Sequence, residues 1–288
     1  MKVKINTPQY VQSTEPMRRF VILVDDLPLF AEMWYYSDLT HPGMNAHLSM
    51  TLTLRDPYAL AFEEKPIPKA VQRKLLEPFG MVKELHEVQV QGEHYDSVEK
   101  TMRDLMAVPY PTVEKCLEES TRLKDAGNAA LRAGQYKEAL RLYRESFLEI
   151  MIVCDGRRRS IWGDAYFQVQ CKGGQFHDQN AQYLRIVLRI RLVSNTIMAY
   201  LKLEDYEEAV FWGMRTIELM QLNMDADDAI RNIPAPAEMG KIYYRTAVAY
   251  RAMGNKVKAR ELLKTAVRYL PNDPIVKKDY VSLAPQLG

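Results

Sequence analysis

Five polar residues in the C-terminal part of the chain are of the types that bind carboxylates. Lys124 precedes Asn128 by four residues and Lys241 precedes Arg245 by four, so each pair shares one face if its segment is helical. Asn195 stands between the two pairs in sequence. Cations attract a carboxylate, and neutral amides donate further hydrogen bonds without repelling those cations. The set therefore suits an acidic ligand, provided that the fold brings the three segments together.

Patterns typical of enzymes and metal sites are missing from the sequence. It has no G-x-S-x-G nucleophile elbow, no phosphate-binding G-x-x-x-x-G-K or G-x-G-x-x-G, and no zinc-binding H-E-x-x-H. Cys171, His177 and Asp178 are close in a segment that contains Gly-Gly, but no further ligand accompanies them. The five histidines never pair at metal-ligand spacing on one helix: His41, His47, His86, His94 and His177. We therefore expect no catalytic residue, no metal site and no cofactor.

Composition and charge restrict the class of protein. The 288 residues are 47% hydrophobic and 26% charged, which is typical of a globular chain of about two domains. The sequence shows no signal peptide and no apolar run of membrane length, and its three cysteines form no C-x-x-C pair. Residues 1–110 have a net charge of −3 and residues 111–288 one of +5, too mild an excess for nucleic acid. We expect a cytoplasmic protein, or one also present in the nucleus, that binds neither nucleic acid nor a membrane.

The segment from Lys241 to Asp273 has the pattern of two helices joined by a tight turn. Small and aromatic residues recur at helical spacing before Gly254-Asn255, and a second apolar face follows until Pro271. The pattern resembles the tetratricopeptide repeat (TPR), a helical hairpin of about 34 residues that buries its apolar face only by stacking on other copies. The residues that carry the resemblance are Ala247, Tyr250, Ala252, Ala259, Leu263 and Ala266.

Two upstream segments carry the same pattern. The alanine that opens the second helix of each hairpin, at Ala139, Ala209 and Ala259, recurs after 70 and then 50 residues. Against a period of about 34, insertions of about 36 and 16 residues separate the repeats. The other matching positions are Gly127, Gly134, Tyr136 and Tyr143 in the first copy, and Tyr200 and Tyr206 in the second.

The resemblance extends to the repeat domain of the large immunophilins, over the C-terminal part of the chain from about residue 111. That family also lengthens the connection between its first two repeats, as Gly156 to Gln182 does here. Its repeats bind the C-terminal Glu-Glu-Val-Asp tail of the ninety- and seventy-kilodalton heat-shock chaperones through a two-carboxylate clamp. The resemblance therefore implies a peptide-binding site and a non-enzymatic co-chaperone or adaptor. The residues that match the clamp, position by position, are Lys124, Asn128, Asn195, Lys241 and Arg245.

Two positions depart from the family pattern. Gly213 replaces the usual aromatic residue or leucine in the second helix of the second repeat, and Glu204 stands where glycine usually turns the hairpin. We expect these departures to affect the packing of that repeat rather than the clamp. After the third repeat, Asp273 and Pro274 are typical of a helix start and predict a capping helix. The apolar residues on this helix would be Val276, Tyr280, Val281 and Leu283.

The N-terminal residues predict a small mixed domain. Residues 1–15 are expected to form an extended arm, and residues 18–25, 46–54 and 85–92 to form strands, the second because its apolar and polar residues alternate. Residues 26–36 fit either a helix or a strand. Two helices are expected over residues 69–79 and 96–106. Their inward residues would be Val71, Leu75 and Leu76, and Val98, Met102 and Leu105.

The predicted fold class is mainly α, with a TPR solenoid of three hairpins and a capping helix after a small α+β domain. The boundary falls at Pro109-Tyr110-Pro111, which gives domains of residues 1–110 and 111–288. A prolyl-isomerase domain is a common companion of such repeats. Residues 1–110 contain only three glycines, Gly43, Gly80 and Gly92, too few for the turns of that half-barrel. We instead expect a domain that recruits a client or partner protein.

Two alternative functions and one modification site remain open from the sequence. A generic repeat scaffold would bind an internal peptide, and would not require a free terminal carboxylate. An enzyme with unfamiliar chemistry would show a cleft with perturbed titratable groups among residues 16–110. Arg157, Arg158 and Arg159 precede Ser160, a pattern that fits either phosphorylation by a basophilic kinase or a solvated basic turn.

Overall fold

The computed structural model describes residues 1–6, 21–56, 67–155, 158–221 and 233–283. The chain divides into two compact units. One contains Met1–Thr112 together with Ile161–Phe167, and the other contains Val113–Ser160 together with Gln168–Gly288. None of the helices in the described ranges is long and apolar enough to cross a membrane.

The N-terminal unit contains a three-stranded sheet. Strand β1 (Lys2–Asn6) pairs antiparallel with β2 (Ser49–Thr53), and β2 pairs in parallel with β3 (Glu87–Gln91). Met50 and Leu52 of β2 are buried, whereas Ser49, Thr51 and Thr53 are half-buried. The alternation expected over residues 46–54 is confirmed, because successive side chains of a strand point to opposite faces of the sheet.

Helices and short turns complete this unit. The helices are α1 (Leu27–Thr40), α2 (Lys69–Leu76) and α3 (Asp96–Ala107), and the 3-10 turns are Val24–Asp26, Asn45–His47 and Glu77–Met81. One apolar cluster joins α1, α2, α3 and β2, with Phe79 of the third turn fully buried in it. Of residues 26–36, which fit two structures by sequence, residues 27–36 thus belong to α1 and Asp26 ends the 3-10 turn before it.

The predicted first strand is wrong over its described part. Residues 21–23 are in no strand, and Val24–Asp26 form a 3-10 turn. Lys2–Asn6, expected as part of a free arm, form β1 instead. In this strand Val3 and Ile5 pack against the apolar cluster while Lys2 and Lys4 face solvent. The alternation of lysine with an apolar residue in Lys-Val-Lys-Ile is therefore the sequence signal of β1. The run over residues 20–24 is more apolar, and this led to the wrong assignment of the first strand.

Two residues expected inside the N-terminal unit lie at its surface. Val71 is 41% exposed and Leu105 is 44% exposed. Gln72 is fully buried instead: its side-chain amide donates to the carbonyl oxygens of Ile67 and Glu93, and its Oε1 accepts from the Tyr95 N–H at 2.9 Å. These buried backbone groups need hydrogen-bond partners, and the Gln72 side chain provides them. The orientation of α2 therefore depends on Gln72 as well as on the spacing of its apolar residues.

The segment Ile161–Phe167, which includes helix α6 (Asp164–Phe167), belongs to the N-terminal unit. The Trp162 ring stacks on the Tyr36 ring of α1 with centroids 5.9 Å apart. The Gly163 N–H donates to the Thr40 hydroxyl over 3.1 Å. Phe167 is fully buried. Part of the long connection between the first two repeats therefore contributes to the core of the first unit.

The second unit is a TPR α-solenoid of three helical hairpins and a capping helix, as predicted. The hairpins are α4 (Val113–Arg132) with α5 (Tyr136–Glu149), α7 (Ala181–Lys202) with α8 (Tyr206–Gln221), and α9 (Pro236–Ala252) with α10 (Lys256–Tyr269). Small residues stand where helices meet, since Ala139, Ala209 and Ala259 are fully buried. Stacked hairpins of this kind bury a continuous core.

The capping helix α11 (Pro274–Leu283) begins as its sequence predicts. Oδ1 of Asp273 accepts hydrogen bonds from the N–H groups of Ile275 at 2.9 Å and Val276 at 3.2 Å. Val276 and Leu283 are buried against the end of the solenoid, whereas Val281 is 65% exposed. The buried stripe of α11 is therefore narrower than the set of its apolar residues.

The connection between α5 and α7 also contains a hairpin of strands β4 (Ile152–Asp155) and β5 (Arg158–Ile161). Cys154 lies buried in β4, and Cys116 lies buried in α4. Ser160 is exposed near the end of β5, and Arg157 lies outside the described residues. Phosphorylation of Ser160 stays a prediction that phosphopeptide mass spectrometry would check.

Candidate peptide-binding site

The first helices of the three hairpins carry all five candidate residues. Lys124 and Asn128 lie on α4, Asn195 on α7, and Lys241 and Arg245 on α9. Helix α7 packs against both α4 and α9. Because stacked repeats place equivalent helices side by side, residues that are far apart in sequence can line one surface.

The amide groups of Asn128 and Asn195 meet between the first and second repeats. Nδ2 of Asn195 donates to Oδ1 of Asn128 over 2.7 Å, and the Tyr143 hydroxyl donates to the same oxygen over 2.9 Å. These two bonds use both lone pairs of that oxygen. Nδ2 of Asn128 has no hydrogen-bond partner within the part of the chain that the structure describes. The Asn128 amide is thus oriented with its donor group available to a ligand.

Tyr143 is buried beside Gly127, which makes this arrangement possible. A Cβ atom at residue 127 would lie 2.5 Å from Cε1 of Tyr143, so a larger residue would push the ring away from α4. Burial raises the pKa of Tyr143 to about 12, so the phenol keeps its proton at neutral pH and remains a donor. Sequence reasoning treated Tyr143 and Gly127 as repeat positions only. A glycine on the first helix that faces a tyrosine on the second is the signal that could have assigned Tyr143 to the site.

Arg245 reaches from α9 to the backbone of α7. Its Nη1 donates to Oγ of Ser194 over 2.8 Å and also to the Ser194 carbonyl oxygen. Burial lowers the pKa of Arg245 to about 10, which still leaves the guanidinium charged at neutral pH. No carboxylate pairs with it among the residues that the structure describes. A partly buried cation without a counter-charge is costly, and an incoming carboxylate would offset that cost.

The two lysines are placed differently. Lys124 is largely buried, and its Nζ lies 3.1 Å from Oδ1 of the exposed Asp125. Such a pair is weak and can be exchanged for another carboxylate. Lys241 is exposed, one turn before Arg245, and has no partner within the described ranges. The structure therefore joins Asn128 to Asn195 and Arg245 to Ser194, while Lys124 and Lys241 are not held in direct contact with those groups.

Backbone hydrogen bonds hold the segment around Cys171 in place. Cys171 is buried, its N–H donates to the Gln179 carbonyl oxygen, and its carbonyl oxygen accepts from Asp178 N–H, both at 2.9 Å. Burial raises the pKa of the Cys171 thiol. His177 and Asp178 are paired at 3.2 Å between Nε2 and Oδ2. Within the described ranges, no three His, Cys, Asp or Glu side chains come together as metal ligands.

No protein-family model and no curated protein matches the chain. A solved structure similar to it is the C-terminal TPR-containing domain of an FK506-binding protein from Plasmodium falciparum. The two are 18% identical, the match covers 62% of this chain and 93% of that one, and the TM-score is 0.41. The repeat fold described above is defined by the three helical hairpins of this chain itself.

Proposed function

We propose that the repeat unit binds the acidic C-terminal tail of the ninety- and seventy-kilodalton heat-shock chaperones, and that the protein is a non-enzymatic, cytoplasmic or nuclear co-chaperone or adaptor. The observation that carries the proposal is the partly buried Arg245 guanidinium, which pairs with no carboxylate in the described ranges. Ser194 is the hydrogen-bond partner of Arg245. The next residue, Asn195, donates a hydrogen bond to Asn128 on the neighbouring helix. Cations and oriented amide donors together suit a ligand with more than one carboxylate.

Each candidate residue has a role in this proposal. The terminal aspartate of the tail offers its main-chain and side-chain carboxylates to four of them, and Arg245 takes the preceding carboxylate or carbonyl group of the peptide. Each charge-assisted hydrogen bond contributes about 1.5–3 kcal/mol. Ordering a flexible tail costs about 2–5 kcal/mol. Several such bonds together contribute about 8–12 kcal/mol. After the cost of ordering the tail, about 7–8 kcal/mol is left, which corresponds to micromolar affinity. The four residues on the terminal aspartate are Lys124, Asn128, Asn195 and Lys241.

The N-terminal unit would recruit a client or another partner protein. Its first helix and the residues before it expose several large apolar side chains: Val21, Leu23, Leu29 and Met33. Exposed apolar groups that lie close in sequence fit contact with another protein better than they fit free solvent. Lys83 is a titratable group of this unit with a shifted pKa, and backbone groups bind its side chain. Burial lowers the pKa of Lys83, whose ammonium donates to the carbonyl oxygens of Gly80 and Leu105.

Calorimetry with an acidic pentapeptide that ends in Glu-Glu-Val-Asp tests the proposal. We expect micromolar binding of the free peptide and about tenfold or greater loss when its C-terminus is amidated, because one carboxylate is removed. The Lys241→Ala, Arg245→Ala double variant should lose at least about tenfold. The Lys264→Ala variant removes an exposed charge from α10 and should bind as the wild type does.

Two outcomes would contradict the clamp. Equal binding of the amidated peptide would favour the generic scaffold that takes internal peptides. Undiminished binding by the Lys241→Ala, Arg245→Ala variant would show that these residues do not contact the tail. Binding should also weaken as salt rises, since exposed charges are screened at higher ionic strength.

A further inference from the structure

A pocket lies on another face of the repeat unit. Its volume is about 530 Å³, within the range of ligand-binding pockets, and α5, α7, α8 and β4 line it. Thr196 of α7 forms part of its wall and directly follows Asn195. Successive residues of a helix point about 100° apart. The pocket is therefore distinct from the surface that carries the Asn128–Asn195 pair, and none of the five candidate residues lines it.

The residues that line the pocket include an aromatic pair and a threonine with an unsatisfied hydroxyl. The rings of Phe147 and Trp212 stack with centroids 5.4 Å apart. Thr196 is only 2% exposed, and its Oγ1 has no hydrogen-bond partner among the described residues. A buried hydroxyl without a partner destabilises the free protein, and a ligand group that completed the bond would offset that cost. An aromatic side chain with a polar tip, such as tyrosine, matches both features.

Three cations and one carboxylate, that of Glu208, line the pocket. Lys137, Arg141 and Arg144 recur at four- and three-residue spacing, so they share one face of α5. Arg141 is paired with Glu138 and Glu145. Lys137 and Arg144 have no carboxylate partner in the described part of the chain. Seven residues of helix separate them by about 10 Å along the axis. Two open cations at that distance suit two separate carboxylates better than one compact anion.

We propose that this pocket binds an internal acidic peptide segment that carries a tyrosine between two carboxylates. Three residues of polyproline II chain rise about 9 Å, which matches the separation of Lys137 and Arg144 along α5. The tyrosine ring packs on Trp212 and Phe147, and its hydroxyl oxygen accepts from the Thr196 hydroxyl. No terminal carboxylate takes part. The site therefore acts independently of the tail-binding surface and would let one repeat unit hold two peptide segments.

The test uses the blocked peptide acetyl-Glu-Tyr-Ser-Glu-amide and the full chain in calorimetry. We expect saturable binding of one peptide per chain. The Lys137→Gln, Arg144→Gln variant should bind at least about tenfold more weakly, because two charge-assisted contacts are lost. The matched control, Lys256→Gln with Lys264→Gln, makes the same charge change on α10 and should stay within about twofold of the wild type. The Lys241→Ala, Arg245→Ala variant should also retain binding.

The Thr196→Val variant separates a binding role from a structural one. Because it removes an unsatisfied hydroxyl at nearly constant volume, it should be as stable as the wild type or more so. It should weaken binding of the tyrosine peptide several-fold and leave unchanged the binding of the peptide with phenylalanine in place of tyrosine. Three outcomes would each overturn the proposal. The first is equal weakening by the α10 control, and the second is loss of binding in the Lys241→Ala, Arg245→Ala variant. The third is that the pocket binds the fatty acid dodecanoate but not the peptide.

Discussion

Gly213 of α8 lies directly against Thr246 of α9. A Cβ atom at residue 213 would be 1.9 Å from Oγ1 of Thr246, a distance that no pair of such atoms tolerates. Thr246 is fully buried, and its hydroxyl donates to the Ile242 carbonyl oxygen over 2.7 Å, so it cannot move aside freely. The glycine that departs from the repeat pattern is therefore the condition for the close approach of these two helices.

Replacing Gly213 with alanine should lower the free energy of unfolding by about 1–3 kcal/mol, because the added methyl group overpacks the contact. This loss should occur although alanine favours a helix by about 1 kcal/mol over glycine. Urea unfolding measures the effect. The Gly173→Ala variant is the control, since a Cβ atom there meets nothing within 4 Å and the change should be small. A Gly213→Ala protein as stable as the wild type would contradict the packing argument.

Glu204 turns the second hairpin in the left-handed region at φ +59°, where Gly134 and Gly254 turn the other two at φ +77° and +82°. A residue with a side chain is strained there. Glu204→Gly should therefore raise the free energy of unfolding by about 0.5–1 kcal/mol. By contrast, Glu207→Gly, in the first turn of α8, should lower it by about 1 kcal/mol. If thermal unfolding shows both variants destabilised, strain at Glu204 is not the cause.

Tyr143→Phe should weaken binding of the acidic tail by about threefold to tenfold, in line with the loss of one hydrogen bond of about 1 kcal/mol. The Asn128 amide would lose one of the two donors that orient it. Circular dichroism should show unchanged helix content. Tyr136→Phe, on the same helix, is the control and should bind normally. Unchanged tail affinity of the Tyr143→Phe protein would show that this hydroxyl does not position Asn128.

The stability of the N-terminal unit should depend on pH through His94. Its pKa is raised, first by its bond to the Gly92 carbonyl oxygen at 2.7 Å and also by Glu99, whose Oε2 lies 2.6 Å from Nε2. A raised folded pKa means stabilisation below the ordinary value of 6.5 that is lost as pH rises through the folded value. Urea unfolding from about pH 6 to 8 should show this decline in the wild type.

Two histidine variants complete that measurement. His94→Gln should flatten the decline between about pH 6 and 8, because the titrating group is removed. His86→Gln should keep it. If the stability of the His94→Gln protein falls with pH as steeply as that of the wild type, another group is responsible.

Phe167→Ala should destabilise the N-terminal unit by about 3–5 kcal/mol, because a fully buried ring is removed from a segment that belongs to that unit. Limited proteolysis should then cut within residues 1–112 first.

A fragment of residues 113–288 should still fold as a helical protein, although Trp162 and Phe167 would lack their partners. An unfolded fragment would contradict the prediction that the two halves are separable near residues 109–112.

The repeat unit was largely predictable because its signals are local. Alanine at Ala139, Ala209 and Ala259 marks each hairpin, and Asp273 marks the start of α11 by capping it. The N-terminal unit was less predictable. Its strand Lys2–Asn6 is stabilised by pairing with Ser49–Thr53, more than forty residues away, and a short edge strand has little structure of its own.

The sequence by itself determined which residue types are available to bind an acidic ligand and which helix carries each of them, because helical periodicity depends only on neighbours along the chain. Only the tertiary structure decided that Asn195 contacts Asn128 across 67 residues, that Arg245 bonds to Ser194, and that Tyr143 joins them. Those contacts depend on how closely the hairpins pack. That distance is set by pairs such as Gly127 with Tyr143, whose fit appears only when the helices are stacked.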